Sequence, residues 1–295
     1  MYREFDLKTL EQEYSPSSCI DDIKIYINEY INKSQKALKQ ARLDNTVITD
    51  LSYTTSNDSD QRLDLFLPSA NSQIKNKLQV YIHGGYWQEL SKSDSCFAAN
   101  NFQQHGYHFA VLNYSLAPKA TLAEIVEQNR QALIWLYQQA DKYGYKKDQI
   151  YISGSSAGAH LAMLMAMTDW SKYLNINTNL VKGICAVSGI YDITPIAQTY
   201  INTPLNLQPK DIAMYSPLLC AKQWQFLQSC QLIFAFGDNE TNEFKRQSLT
   251  MIEQLKQQGY NATWAEINER NHFNIILDLE QPNTWLCQQV FKQML

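Results

Sequence analysis

A mostly parallel β-sheet of about eight strands with helices on both faces, an α/β architecture, is what this sequence predicts, and three observations predict it. Short β-rich runs alternate, from the third onward, with longer helical stretches, the pattern of strand–helix–strand units whose parallel sheet is covered on both sides. Two glycine-bearing turns, Gly84-Gly85 and Gly154/Gly158, each follow directly on a β-rich run. The 295 residues, 45% hydrophobic and 18% charged, suffice for one large domain with a substantial core.

Residues 18–43 place Ile20, Ile23, Ile27, Ile31 and Leu38 on one helical face with Lys and Arg opposite, an N-terminal helical segment packed on the domain in a structural role. The β-rich runs 47–53 and 62–67 have no helix between them and form an antiparallel edge. Run 78–83 ends at the first glycine pair, and run 108–114 follows the turn at Gly106. Over 121–143, Leu122, Ile125, Val126, Leu133, Leu136, Tyr137 and Ala140 recur at helical spacing and turn one apolar face to the sheet. Run 149–153 leads through Gly154 into an apolar helix, 157–168. After run 181–188 comes a stretch, 194–217, with four of the eight prolines (Pro195, Pro204, Pro209, Pro217). That is too many for a regular element, so it reads as a loop excursion over the carboxyl ends of the strands, above the site. Runs 231–236 and 263–267 complete the sheet, and with no repeat or low-complexity segment the whole of 1–295 reads as a single domain.

Charge and composition exclude several classes of function. A net charge of -4 with 25 scattered basic residues offers no footprint for nucleic acid or an anionic membrane. No apolar run approaches the roughly 18–20 residues of a membrane span, and the charged start Met1-Tyr-Arg-Glu-Phe-Asp-Leu-Lys lacks the apolar region of a signal peptide. A cytoplasmic location is the expectation. The six cysteines are far apart without metal-ligand spacing, which predicts reduced, mostly buried thiols, neither disulfide nor zinc, and no metal or organic cofactor. A homodimer is left open.

Chemistry concentrates where glycine does. Average usage of about 7% would give roughly 20 glycines, but the chain has 10, so each one is more informative than usual. Gly154-Ser155-Ser156-Ala157-Gly158 joins a β-rich run to an apolar helix, the pattern of a nucleophile elbow. A serine at such a turn has strained backbone angles, and the residues two before and two after approach too closely for side chains. That selects Ser156 over Ser153 and Ser155. By itself the pattern arises by chance in roughly one chain in ten of this length; its place between strand and helix is what gives it weight. His83-Gly84-Gly85-Tyr86-Trp87 ends the third run, and backbone N–H groups of Gly84, Gly85 and Ala157 could form an oxyanion hole, because glycine leaves no Cβ in the way. The bland alternative is a plain glycine turn.

A serine nucleophile needs a base, and in this arrangement the chain order is serine, acid, histidine. Of five histidines, His272 alone follows Ser156 by more than one helical turn, in the loop after the last run. The acid is less constrained. The run 231–236 is followed by Gly237-Asp238-Asn239-Glu240; Glu240 has room to curl back toward the base, Asp238 is the alternative, and Asp192 a weaker third. Tyr86 and Trp87, beside the oxyanion loop, are candidates to wall a site for an aromatic substrate, although large aromatics near a strand end are commonly core. Five glycines (Gly84, Gly85, Gly154, Gly158, Gly237) thus fall in or beside the proposed catalytic loops.

Taken together these residues resemble the α/β-hydrolase superfamily and, within it, the arylformamidases or kynurenine formamidases. The resemblance rests on His83-Gly-Gly-Tyr-Trp87, Gly154-Ser-Ser-Ala-Gly-Ala-His-Leu161, Val187-Ser-Gly-Ile-Tyr-Asp192, Glu243-Phe-Lys-Arg-Gln-Ser248, Asn271-His-Phe273 and Glu13-Tyr-Ser-Pro-Ser17, and so spans nearly the whole chain. One departure stands out. Better-known members carry aspartate four residues before the phenylalanine matching Phe244, where this chain has Glu240. The resemblance implies the α/β-hydrolase fold, a small aromatic substrate and hydrolysis of N-formyl-L-kynurenine through a formyl-enzyme. Two readings compete. A broad carboxylesterase would use the same triad, and Asn113-Tyr-Ser-Leu-Ala-Pro118 is similar to a stretch of hormone-sensitive-lipase-like esterases. A non-catalytic binding protein on this fold would have lost a triad member, whereas here all three survive.

Overall fold

Alternation of side chains along the strands builds two separate apolar layers, and the helices fall on whichever layer their own apolar stripe matches. The structure, a computed structural model, describes every residue except Met1, Asn57 and Thr178. Its elements in chain order are α1 (Leu7–Glu13), α2 (Ile23–Leu43), β1 (Val47–Ser52), β2 (Arg62–Phe66), β3 (Leu78–Ile82), α3 (Ala99–Gln104), β4 (His108–Leu112), α4 (Leu122–Tyr143), β5 (Ile150–Ser155), α5 (Ala157–Ala166), β6 (Val181–Val187), α6 (Asn202–Leu205), α7 (Pro209–Tyr215), β7 (Gln231–Asn239), α8 (Asn242–Gln257), β8 (Ala262–Asn271) and α9 (Trp285–Gln293), with short 3₁₀ turns between some of them.

Among the described residues, eight strands form one sheet in the order β1-β2-β4-β3-β5-β6-β7-β8. β1 pairs antiparallel with β2, and β2 with β4. From β4 onward every pairing is parallel. This is the expected α/β sheet with its antiparallel edge. In register, Val80 lies beside Ala110 on one side and Ile152 on the other; these three, with Phe234, pack under α4, α5 and α8. The intervening Tyr81, Phe109, Tyr151 and Cys185 face the opposite layer, with residues of α2, α3 and α9. A period of two along the strand sends neighbours to opposite faces.

Local signals set the helix ends. Thr121 and Glu124 form a reciprocal capping box at the start of α4, and Gly144, at φ +85°, closes it with a bond to the Ala140 carbonyl. α5 is buried at all ten positions, as befits a helix apolar on every side. Two expectations need correction. The N-terminal helix starts at Ile23 rather than 18, because Pro16–Cys19 form a 3₁₀ turn and the Asp22 carboxylate caps Lys24 N–H. Its buried stripe is Tyr30, Ser34, Ala37 and Ala41. The stretch 194–217 is not irregular throughout: it contains α6 and α7, with Pro209 and Pro217 at the first positions of a helix and a 3₁₀ turn, where the missing N–H costs nothing. Its cysteine-bearing neighbour at Cys220 and the other five cysteines are free thiols, all buried except the half-buried Cys19. Among the described residues, no helix is long and apolar enough to cross a membrane.

Parallel strands β3, β5, β6, β7 and β8 all end at one side of the sheet. Their carboxyl ends are where α/β folds gather ligands.

Candidate active site

Ser156 stands between β5 and α5 with φ 56° and ψ -120°, a left-handed backbone that costs an L-residue of order 1–3 kcal/mol and must be held by its surroundings. Three contacts hold it. Its N–H donates to the Val187 carbonyl at 2.8 Å, its carbonyl accepts from His160 N–H at 3.1 Å, and the two glycines let strand and helix press together. A Cβ on Gly154 would meet the Gly158 carbonyl carbon at 2.4 Å, and one on Gly158 would meet Ile82 O at 2.1 Å. Ala157 opens α5, so its N–H is one of the unpaired first donors of the helix, at the positive end of the helix dipole.

The loop after β3 approaches the serine from the side. A Cβ on Gly84 would lie 2.7 Å from Ser155 O and 3.3 Å from Ser156 Cβ, so the Gly84 backbone passes against the candidate nucleophile. Gly85, Tyr86 and Trp87 follow with φ of 91°, 51° and 61°. This run of left-handed residues is anchored by the Gly85 carbonyl, which accepts from Gln88 and Glu89 N–H, both at 2.9 Å. His83 sits behind the loop, stacked on Tyr114 at 4.2 Å, with its Nδ1 3.0 Å from Gly84 O, while Tyr114 Oη donates to His83 O at 2.8 Å. Burial pushes the His83 imidazole down to about 4, and that of His160 likewise, so both are neutral packing groups at neutral pH.

His272 follows β8, packed between Phe244 and Phe273 with ring centroids at 4.5 and 5.4 Å. Its Nδ1 lies 3.0 Å from Glu240 Oε2. The other carboxylate oxygen, Oε1, accepts from Gly237 N–H and the Ser188 hydroxyl, each at 2.6 Å. Both residues are buried, so the pair is shielded from solvent. Asp238 is elsewhere: exposed, its carboxylate accepts from Arg270 N–H at 3.2 Å, and backbone hydrogen bonding, chiefly from Glu269, holds its carboxyl below the usual range. Asp192 caps its own turn through Thr194 N–H at 2.9 Å. Of the three acids considered, Glu240 is the one that meets His272.

Ser156 and His272 line one cavity of about 220 Å³, small against the roughly 300–1,000 Å³ of drug-sized clefts and suited to a single small ring. Tyr86 lines it, its hydroxyl donating to Tyr14 O at 2.5 Å. Trp87 does not. It is fully buried, edge-on to His160 at 5.0 Å, so its proposed substrate contact is corrected to a core role. The two rings meet edge-on at 6.1 Å, and of the pair only Tyr86 lines the cavity.

Several walls of the cavity come from residues that the sequence does not assign to the site. Ile23, Ile27 and Tyr30 of α2 line it, as do Tyr81, Phe97 and Phe273. The Tyr30 hydroxyl donates to the Phe273 carbonyl, and Asn271 Nδ2 donates to Tyr26 Oη at 2.9 Å. The N-terminal helix therefore walls the cavity and grips the His272 loop, a larger part than the structural one expected of it. A signal was present: the isoleucines at 23 and 27 extend the apolar face beyond what the buried stripe of α2 uses. Tyr200 and Ile201 bring 194–217 to the rim, with the exposed Glu89.

A parallel sheet of this order, with a strained serine in the elbow after β5 and a buried histidine–carboxylate pair beyond β7 and β8, defines an α/β hydrolase. Solved structures agree on the fold: a protein of Silicibacter sp. TM1040 superposes with a TM-score of 0.79 at 23% identity, covering 94% of this chain and 97% of that one. An esterase of Pyrobaculum calidifontis does so with a TM-score of 0.69 at 17% identity, covering 97% and 96%. The BD-FAE family profile matches residues 63–228. Kynurenine formamidase of Danio rerio is 32% identical over 292 residues, 99% of this chain and 96% of that protein, and that of Salmo salar is 32% identical over 301 residues, covering 99% and 98%. With likeness of that extent along both chains, this protein belongs to the kynurenine formamidase family, and it is a hydrolase.

Proposed function

We propose that the protein hydrolyses N-formyl-L-kynurenine to L-kynurenine and formate, with Ser156 as nucleophile, His272 as general base and acid, and Glu240 as the carboxylate that orients and stabilises the imidazolium. The observation that carries this reading is the 3.0 Å contact of His272 Nδ1 with buried Glu240 beside a cavity that Ser156 also lines. With Nδ1 engaged, Nε2 is the nitrogen left to exchange protons with substrate and serine.

Ser156 Oγ attacks the formyl carbon while His272 takes its proton, and the carbonyl electron pair moves onto oxygen, facing the N–H groups of Gly84, Gly85 and Ala157. Collapse of the tetrahedral adduct breaks the C–N bond as His272 returns the proton to the departing aryl amine. Water then attacks the formyl ester, again giving its proton to His272, and release of formate restores the serine hydroxyl. A formyl group needs almost no acyl pocket, and an aniline-type nitrogen leaves more readily than an alkyl amine. Both properties suit a small cavity walled by Tyr30, Tyr81, Phe97 and Phe273.

The test compares kcat/KM for N-formyl-L-kynurenine with that for p-nitrophenyl acetate and butyrate. The formamide is expected to win by a wide margin; the reverse ranking transfers the protein to the broad carboxylesterases. Ser156→Ala should abolish turnover of every substrate, and substantial residual activity would mean that another residue is the nucleophile.

A further inference from the structure

We propose that Ser188 is a positioning residue for the reaction, acting through Glu240 and resting on the triad just described. Its hydroxyl donates to Glu240 Oε1 at 2.6 Å, inside the protein where both groups are buried. Its backbone is left-handed, with φ 50°, and its N–H is tied to the Ala235 carbonyl at 2.8 Å. Two facts therefore coincide at one residue one step beyond β6. The conformation is one that glycine or asparagine adopts more readily, yet the position holds a serine whose hydroxyl ends on the carboxylate facing the base.

The need for such a residue follows from the chemistry of glutamate. Glutamate has one more rotatable bond than aspartate, so a carboxylate at the end of it has more orientations to lose before it can face an imidazole. Gly237 N–H holds Oε1 from one side at 2.6 Å. Ser188 holds the same oxygen from the neighbouring strand, and together they fix the carboxylate plane, leaving Oε2 for His272 Nδ1. The other titratable groups facing Glu240 are Tyr30 of α2 and Tyr191 of the loop after β6. Burial raises both phenols, so they remain neutral and add no competing charge.

Ser188→Gly and Ser188→Ala separate this role from a role in the turn. Glycine suits the left-handed backbone but removes the whole hydroxymethyl group; alanine removes only the hydroxyl and keeps Cβ, in a backbone it adopts less readily. Both should lower kcat for N-formyl-L-kynurenine by about ten- to a hundredfold, the rate equivalent of one charge-assisted hydrogen bond, with KM within about twofold. The acid limb of the pH profile of kcat/KM should move to higher pH. A carboxylate that loses a hydrogen-bond donor keeps more of its negative charge for the imidazolium it faces. In a Glu240→Gln background the Ser188 change should cost less than about twofold further, because the charge it acts on is gone. Ser188→Gly with unchanged kcat and an unmoved acid limb, beside a crippled Glu240→Gln, overturns the inference and leaves the triad standing. Equal cost in both backgrounds overturns it as well, by showing another route of action. A fully active Glu240→Gln removes the triad reading and this inference with it.

Discussion

Gly158→Ala puts the geometry of the elbow to a quantitative test. A Cβ built on Gly158 lies 2.1 Å from Ile82 O, 2.7 Å from His83 O and 2.9 Å from the His83 carbonyl carbon. Carbon and oxygen in comfortable contact sit about 3.3 Å apart, so α5 and the end of β3 must separate by about 1.2 Å. Both partners are backbone within the core, where interiors are packed as densely as organic crystals and have little room to yield. Overpacking typically costs about 1–3 kcal/mol, and with no side chain free to swing away the upper end applies. The displaced helix carries Ala157 N–H and follows directly on Ser156, and a misplacement of about 1 Å at a reacting centre can lower the rate about a hundredfold. Gly158→Ala is therefore expected to lose about 3 kcal/mol in urea unfolding and about two orders of magnitude in kcat/KM for formate release. Gly84→Ala, with its Cβ 2.7 Å from Ser155 O, should act mainly on kcat. The control is Gly259→Ala, where nothing lies within 4 Å and φ is +83°: about 1–2 kcal/mol for a left-handed backbone and no change in activity. Were Gly158→Ala to behave like Gly259→Ala in both assays, the close approach of α5 and β3 would be refuted.

Other consequences can be checked separately. Glu240→Gln should lower kcat roughly a thousandfold or more, as loss of the charge that orients a catalytic histidine does elsewhere, while Asp238→Asn should stay within about twofold; the opposite pattern in steady-state kinetics would reassign the acid. Ile27→Trp projects bulk from α2 into the cavity and should raise KM for N-formyl-L-kynurenine about tenfold or more with the fold intact by circular dichroism; an unchanged KM would remove α2 from the substrate wall. His83 and His160, both pushed down to about 4 by burial, are protonated in the unfolded chain before the folded one as pH falls. Stability should therefore be complete above the unfolded value near 6.5 and drop between there and about 4, by about 1.4 kcal/mol per pH unit for each histidine. Urea titrations at several pH values measure the slope, and a flat profile over that window would contradict the neutral, buried state of both rings.

Much of the framework was legible because its causes are local. Along β3, Leu78, Val80 and Ile82 fall in one apolar layer and Tyr81 in the other, the two-residue period of a strand, and the absence of a helix between β1 and β2 forces their antiparallel pairing. Glycines at 84, 154 and 158 mark close approaches that any Cβ would block. The placement of His272 after the last strand follows from chain order. Helical periodicity alone starts α2 too early, because Ile20 fits it, while the cap at Asp22, two residues later, sets the boundary. Prolines in 194–217 read as helix breakers, yet at a first helical turn they are compatible with α7.

From sequence alone came the strand–helix alternation, the elbow around Ser156 and the glycine loop beside it, which depend on patterns within a few residues, and the histidine beyond β8, which follows from chain order. Only the tertiary structure shows what Glu240 and Asp238 reach, because both leave the same strand and their difference lies across the fold: buried Glu240 meets His272, 32 residues away, while exposed Asp238 meets Arg270 N–H. It also assigned Trp87 to the core, α2 to the cavity wall and Ser188 to the carboxylate. Burial and side-chain reach are properties of packed neighbours, and those neighbours come from distant parts of the chain.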